Sequence, residues 1–332
     1  MNKTINKLYY SFKCLLTCRG GSYVWIEISK KIFGDKYSQK LLYRKNSKMN
    51  PDRYGNEIAK IYYFKTGKKL NLANPSTFNE KIQWMKLNDS TPLKTTLADK
   101  YLARNWVKDK IGEQYLIPLL GVWDKFDDIN IAELPEAFVL KANHGCGWNV
   151  IVKEKEKADW NKIKENFDYW MSLNFAFSSM GFQMHYRDIP PKIIAEKYIE
   201  SEDGNLYDYK IHCFNGKPEY IHLIGDRKYN THQAKEAFYN TKWELQSFTS
   251  GVYSRYETGI ERPENLEEML RIAEVLSQGL IYVRVDLYEL DNGEIKFGEM
   301  TFTPGSGFYQ WMPPGTDIMW GEKIKLSGVL SS

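Results

Sequence analysis

The sequence predicts an α+β fold in which a mostly helical region, residues 1 to about 90, precedes a larger part built from short strands and a few helices. Aromatics and Lys/Arg clusters recur at helical spacing through the first ninety residues, whereas from Pro135 onward short apolar runs alternate with turn residues. Two Asn-Gly dipeptides, at 215–216 and 292–293, sit between such runs and mark hairpins.

The bulk numbers fit a globular chain. With 332 residues, 42% hydrophobic and 15% aromatic, it can bury a sizeable core and form two or three packed units. Its 46 Lys+Arg against 42 Asp+Glu leave a net charge of +4, too balanced to point to a nucleic-acid partner. Cys14, Cys18, Cys146 and Cys213 show no paired metal-ligand spacing, so reduced thiols and a cytoplasmic setting are expected, with a small metal or palmitoyl role for Cys14 and Cys18 as the alternative.

Taken in order, the first notable stretch is Leu8-Tyr-Tyr-Ser-Phe-Lys-Cys-Leu-Leu16, which Lys13 interrupts and which lacks a small-residue cleavage site. It fails as a signal peptide, and no run reaches the roughly 20 apolar residues that span a bilayer. Its basic, aromatic and aliphatic mix suits a membrane surface or a partner, or else a helix docked on its own protein. Gly20-Gly21, Asn50-Pro51 and Asn74-Pro75 punctuate the helical region. Ser76-Thr77 followed by Glu80 resembles an N-cap signature, so a helix carrying Ile82, Trp84, Met85 and Leu87 is expected to start there.

Strands are expected at 138–141, 148–152, 193–199, 207–214 and 217–224, the last two joined by a type I′ turn at Asn215-Gly216. One helix follows, opened by Pro263 and closed by Gly279, with Leu266, Met269, Leu270, Ala273 and Leu276 as its apolar stripe.

The segment from Tyr282 to Thr301 carries the most chemistry. Period-2 alternation puts Arg284 and Asp286 on one face of its first strand and Glu299 and Thr301 on one face of its second. If Asn292-Gly293 is a two-residue turn, Asp291 pairs with Glu294, so Asp286 faces Glu299 and Arg284 faces Thr301. Opposed carboxylates with Cβ atoms roughly 5 Å apart are destabilising. A shared proton or a cation must compensate, and Mg²⁺ held together with nucleotide phosphates fits. The alternative is a solvent-facing hairpin with Arg284 as counter-ion.

Upstream, Lys141 ends a strand before Ala-Asn-His-Gly-Cys-Gly-Trp148, a glycine-bearing loop suited to phosphate oxygens or simply a hairpin loop. It matches neither the P-loop nor the Rossmann pattern. Asp208-Tyr-Lys210 puts an acid and a base on one strand face, with Arg227 after the return strand.

The order of these motifs resembles the ATP-grasp superfamily and, within it, the TupA-like family associated with teichuronopeptide and capsular polysaccharide synthesis, over about residues 75 to 320. Asp99-Lys100 looks like the first Lys motif, Phe138-Val-Leu-Lys141 with its loop like the second, Glu196-Lys-Tyr-Ile199 like the adenine hinge, and Arg284-x-Asp286 with Glu299-x-Thr301-x-x-Pro304-Gly305 like the metal and catalytic end. The resemblance implies an ATP-grasp fold, with two α+β subdomains, 91–195 and 196–326, clasping ATP behind the helical region 1–90.

It also implies roles. Lys100 and Lys141 would hold phosphates under the loop of His144, Gly145 and Gly147, while Glu196, Lys197 and Ile199 would take the adenine. Asp208 and Lys210 resemble the acid-base pair near the transferred phosphate, Arg284, Lys210 and Arg227 would be catalytic, and Asp286, Glu299 and Thr301 would hold one or two Mg²⁺ ions. Thr301 stands where the superfamily usually has Asn, and the leading region is short for the usual α/β domain.

The implied activity joins a carboxylate to an amine through an acyl phosphate, releasing ADP and phosphate. The carboxylate would be a uronic acid or glutamyl chain of a surface polysaccharide precursor, and the amine an amino acid or amino alcohol. Polysaccharide-synthesis enzymes or the inner membrane surface would be partners of the basic N-terminus. A glycosyltransferase and a non-catalytic nucleotide-binding scaffold are the rival readings. His144 and His185 are expected to be structural rather than general bases.

Overall fold

The structure, a computed structural model, describes residues 21–179, 181–228 and 233–326. The expectations for Leu8–Leu16 and for Cys14 and Cys18 lie outside the described residues.

Four helices open the described chain: α1 (Gly21–Phe33), α2 (Asp35–Asn46), α3 (Tyr54–Thr66) and α4 (Phe78–Asn88). The α4 start follows the expected capping chemistry, with Thr77 and Glu80 as the reciprocal pair. The Thr77 hydroxyl accepts from the Glu80 amide at 3.2 Å and the Glu80 carboxylate accepts from the Thr77 amide at 3.2 Å. Phe78 is then driven into a cluster of rings with Phe214, Tyr282, Tyr309 and Trp320, which fastens this helix to the far C-terminal part of the chain.

After α5 (Pro92–Ala98) and α6 (Ala103–Ile111), the strands β1 (Leu119–Trp123), β2 (Phe138–Ala142) and β3 (Asn149–Val152) appear, followed by α7 (Trp160–Met171), α8 (Phe175–Ser178) and β4 (Ile193–Lys197). They form a four-stranded antiparallel sheet in the order β1-β4-β2-β3. Ile163 and Phe167 of α7 pack with Phe138 and Leu140 of β2 in its core. The expected boundary between residues 195 and 196 falls inside β4, whose whole length pairs within this sheet.

A second sheet contains β5 (Asp208–Phe214), β6 (Lys217–Gly225), β7 (Lys235–Asn240) and β8 (Ser254–Arg255), then, after α9 (Leu266–Ser277), β9 (Tyr282–Glu289) and β10 (Ile295–Thr301). The order is β10-β9-β5-β6-β7-β8, and α10 (Thr316–Lys323) closes the chain. Leu266, Met269, Ala273 and Leu276 of α9 are buried as expected, with Ile272 in place of the half-buried Leu270.

The two Asn-Gly dipeptides behave differently. Asn215 and Gly216 both have positive φ, +51° and +79°, and Phe214 pairs with Lys217, so this is the expected type I′ hairpin. Of Asn292 and Gly293 only Gly293 does, at +78°, and Leu290 pairs with Glu294 around a three-residue loop. The expected Asp291–Glu294 pairing is therefore wrong by one residue, and near the turn Glu289 opposes Ile295. A bulge between Phe297 and Glu299 then shifts the ladder back, so that Glu299 opposes Asp286 and Thr301 opposes Arg284, as expected. Gly298 makes the bulge possible, since a Cβ there would lie 3.0 Å from the Tyr288 ring and 3.2 Å from the Asp286 carbonyl oxygen.

Candidate active site

The six-stranded sheet carries an alternating row of charges across β5, β9 and β10, because Lys210 is in register with Asp286 and Asp286 with Glu299. Arg284 grips Asp286 with two bonds, Nε to Oδ1 at 2.6 Å and Nη2 to Oδ2 at 2.7 Å, and reaches Glu299 at 3.4 Å. Lys210 Nζ lies between Asp286 and Asp208, 2.7 Å from the latter, and Arg227 approaches Asp208 at 2.9 Å. The opposed carboxylates are thus compensated by a buried guanidinium rather than by a shared proton, and the solvent-facing alternative fails because Asp286 and Arg284 are both buried.

The row is electrostatically self-consistent. Burial raises the Asp208 carboxyl, but Lys210 and Arg227 outweigh it and leave the pKa below the ordinary value. Burial would lower the Arg284 guanidinium, and Asp286 and Glu299 hold it charged. Beside them the Tyr288 phenol is raised, first by Asp208 and then by burial, so it stays a neutral donor.

The four-stranded sheet supplies the second wall. Lys141 of β2 donates to Glu196 of β4 at 2.5 Å, and Arg104 of α6 donates to the other oxygen at 2.7 Å while holding the Ile117 carbonyl at 2.8 Å. The Glu196 carboxylate, expected at the adenine, lies in the cleft wall with these two cations as its partners. Likewise the Lys197 amide is bonded to the Pro118 carbonyl at 2.9 Å, which leaves the segment from Tyr198 to Ile199 as the accessible part of the hinge. Arg104 was invisible to sequence reasoning, because it lies 92 positions from Glu196 in an unremarkable run of helical charges.

The loop between β2 and β3 is tied down by Lys100, whose Nζ bonds the Gly145 carbonyl and whose amide bonds the Asn143 carbonyl at 3.2 Å. Gly145 is dictated by packing, for a Cβ would fall 2.3 Å from the Trp148 ring. Gly147, at φ +72°, faces open space. His144, expected at the phosphates, has a buried ring 3.2 Å from both the Asn143 side chain and the Trp170 carbonyl, and burial lowers its pKa to about 4. His185 is buried with its pKa lowered to about 3, also by burial first, which agrees with a structural residue.

Both walls open on one cleft of about 1220 Å³. From the first sheet and its loops Lys100, Lys141, Gly147, Glu196, Lys197 and Ile199 line it, and from the second Asp208, Lys210, Arg227, Asp286 and Glu299. His144, Gly145, Arg284 and Thr301 do not reach its lining; Arg284 stands behind Asp286, and the Thr301 hydroxyl donates to Glu299 at 3.1 Å and accepts from Arg284 at 3.0 Å. Thr301 is thus bonded to both Glu299 and Arg284.

The residues fit a magnesium ion shared with phosphates. Mg²⁺ takes oxygen ligands, usually one or two carboxylates with phosphate and water completing the octahedron. Asp286 and Glu299 provide two such carboxylates at the cleft, and the Glu299 side chain is 31% exposed towards it. Among the described residues there is no group of three or more His, Cys, Asp or Glu that could hold a metal ion.

The model of a family described as TupA-like ATP-grasp matches residues 80–325. No curated protein matches the chain in sequence. Similar solved structures include D-alanine–D-alanine ligase from Bacillus anthracis complexed with ATP, at 19% identity and TM-score 0.38 over 63% of this chain and 56% of that one. An L-amino acid ligase from Bacillus licheniformis is 12% identical with TM-score 0.43, covering 69% and 49% of the two chains. An ADP complex of N5-carboxyaminoimidazole ribonucleotide synthetase is 13% identical with TM-score 0.39, covering 68% and 51%. The chain thus spans about half the length of the solved structures it matches.

Proposed function

The chain belongs to the TupA-like ATP-grasp family, and from that premise we propose that it is an ATP- and Mg²⁺-dependent ligase joining a carboxylate to an amine through an acyl phosphate. The observation that carries the reading is the single cleft onto which two lysines from one sheet and two opposed carboxylates from the other converge. Phosphoryl transfer asks little covalent chemistry of a protein and much positioning and charge neutralisation, which this arrangement supplies.

In this reading Lys100 and Lys141 hold the phosphates of ATP beneath the loop containing Gly147, and the segment Tyr198–Ile199 receives the base by its backbone. Asp286 and Glu299 are the magnesium carboxylates; the ion, when bound, neutralises the phosphate oxygens that take up charge during transfer. Lys210, already between Asp208 and Asp286, faces the transferred phosphoryl group, and Arg227 faces the acceptor carboxylate. Arg284 holds Asp286 and Glu299 in alignment through its bonds to both.

A carboxylate oxygen attacks the γ-phosphorus and ADP leaves. The amine nitrogen then attacks the acyl carbon, phosphate departs with the attacking oxygen, and the nitrogen gives up a proton. The substrates proposed are a uronic acid or glutamyl carboxylate of a surface polysaccharide precursor and an amino acid or amino alcohol. The two clasping units are proposed as residues 91–195 and 196–326 with the join moved past β4, and the enzyme is placed in the cytoplasm at the inner face of the membrane beside polysaccharide-synthesis enzymes. The decisive experiment supplies ¹⁸O-labelled carboxylates with ATP and a panel of amines. Label appearing in released phosphate, with ADP and amide in equal amounts, is the expected result; amine-independent ADP release without label in phosphate defeats the proposal.

A further inference from the structure

The first two helices present a surface that the cleft does not use. Along α1, Trp25, Ile28 and Ile32 follow i, i+3, i+7 spacing, and with Phe33 and Tyr37 at the corner between the helices they are between 40% and 63% exposed. Gly34, at φ +85°, turns the chain so that the Phe33 and Tyr37 rings lie 5.0 Å apart. The rest of α1 is already engaged. Tyr23, Val24 and Ile26 are buried, the Tyr23 hydroxyl donates to Glu57 at 2.5 Å, and Lys65 holds Glu27 at 2.8 Å. A helix fastened on one side by its own protein has therefore kept four large apolar side chains in solvent on another, with Tyr37 of α2 beside them.

Charge identifies what would cover them. Residues 1–50 contain eleven Lys and Arg but only Glu27 and Asp35 as acids, a net +9. The other 282 residues hold 35 Lys and Arg against 40 acids, a net −5, so the near-neutral whole conceals a strongly basic end. Within the described part Lys30, Lys31, Lys36, Lys40 and Arg44 are exposed on the two helices that carry the apolar residues. Exposed Trp, Ile, Phe and Tyr among lysines are the composition of a helix lying in the interface of an anionic bilayer, with the rings at headgroup level and the ammonium groups on lipid phosphates.

We propose that α1 and the start of α2 form a docking surface for an anionic lipid bilayer, with Trp25, Ile28, Ile32 and Phe33 entering the headgroup region. No helix of the described residues is long and apolar enough to cross a membrane, so the association is one of lying on the surface. It would hold the enzyme where lipid-linked precursors are, yet it depends on nothing in the cleft and stands or falls separately from the ligase reading.

The test is co-sedimentation of the full chain with vesicles of phosphatidylglycerol and phosphatidylcholine, against phosphatidylcholine alone. Binding confined to the anionic vesicles and weakened by salt is expected. The triple variant Trp25→Ser, Ile28→Ser, Ile32→Ser should lower partitioning by roughly tenfold or more while nucleotide affinity stays unchanged. Should that variant misfold, Lys31→Glu with Lys40→Glu, which disturbs no packing, should weaken binding to anionic vesicles instead. Failure of the native chain to sediment, equal binding to neutral vesicles, undiminished binding by folded variants, or dimerisation through these residues without vesicle binding would each overturn the proposal.

Discussion

Glu299 and Arg104 are the two side chains whose replacement separates chemistry from folding most cleanly. Glu299→Gln keeps shape and the Thr301 contact but removes one of the two carboxylates proposed for magnesium, and Arg284 still has Asp286. Turnover should fall at least about a hundredfold and magnesium-dependent nucleotide affinity roughly ten- to a hundredfold, while thermal unfolding shifts little, as isothermal titration and a melting curve would show. Arg104→Ala instead leaves Glu196 with Lys141 alone, so Lys141 is drawn away from the phosphates. The expected outcome is a KM for ATP raised about tenfold with a smaller change in kcat, partly restored by Arg104→Lys; unchanged KM would show that Arg104 is structural only. The sequence made Asp286 and Glu299 legible because strand alternation places them, whereas Arg104 meets Glu196 only because the fold brings together residues 92 positions apart.

At the scale of elements, the β9–β10 hairpin depends on a compensation between its turn and its bulge. Gly298→Ala would push a Cβ against the Asp286 carbonyl at 3.2 Å, backbone that cannot swing aside. Activity should drop by more than tenfold from misalignment of Asp286 and Glu299, with a stability loss of about 1–3 kcal/mol in chemical denaturation. Helix α1 hangs on Glu57, which accepts bonds from Tyr23, Lys45 and Lys60. Burial raises the Glu57 carboxyl, but those donors outweigh it and bring the pKa from 4.5 down to about 2. Because the folded value is the lower one, this contribution is fully present above about 4.5 and is lost as pH falls from there through about 2. Glu57→Gln should cost about 2 kcal/mol at neutral pH and flatten the acid-side fall in stability, measured by urea titration across that range.

For the whole molecule, the consequence of a cleft between two sheets is that its ligand should fasten them together. A non-hydrolysable ATP analogue with Mg²⁺ at a hundred times its Kd should stabilise the native state by about 2.7 kcal/mol, seen as a raised melting temperature, and Glu299→Gln should erase the magnesium-dependent part. No shift with either nucleotide or magnesium would argue against a nucleotide cleft. What the sequence by itself determined was local: the capped start of α4, the alternation that puts Arg284 with Asp286 on one strand face and Glu299 with Thr301 on another, and the I′ hairpin at 215–216. These follow from periodicity and turn chemistry, which act over a few residues. Only the tertiary structure decided that Arg284 fills the space between the carboxylates, that Glu196 belongs to Lys141 and Arg104, that His144 is packed away, and that a bulge at Gly298 cancels the misread turn. Each of those outcomes is a contact between side chains distant along the chain, or a local choice settled by the neighbouring strand, and neither is written in the spacing of residues.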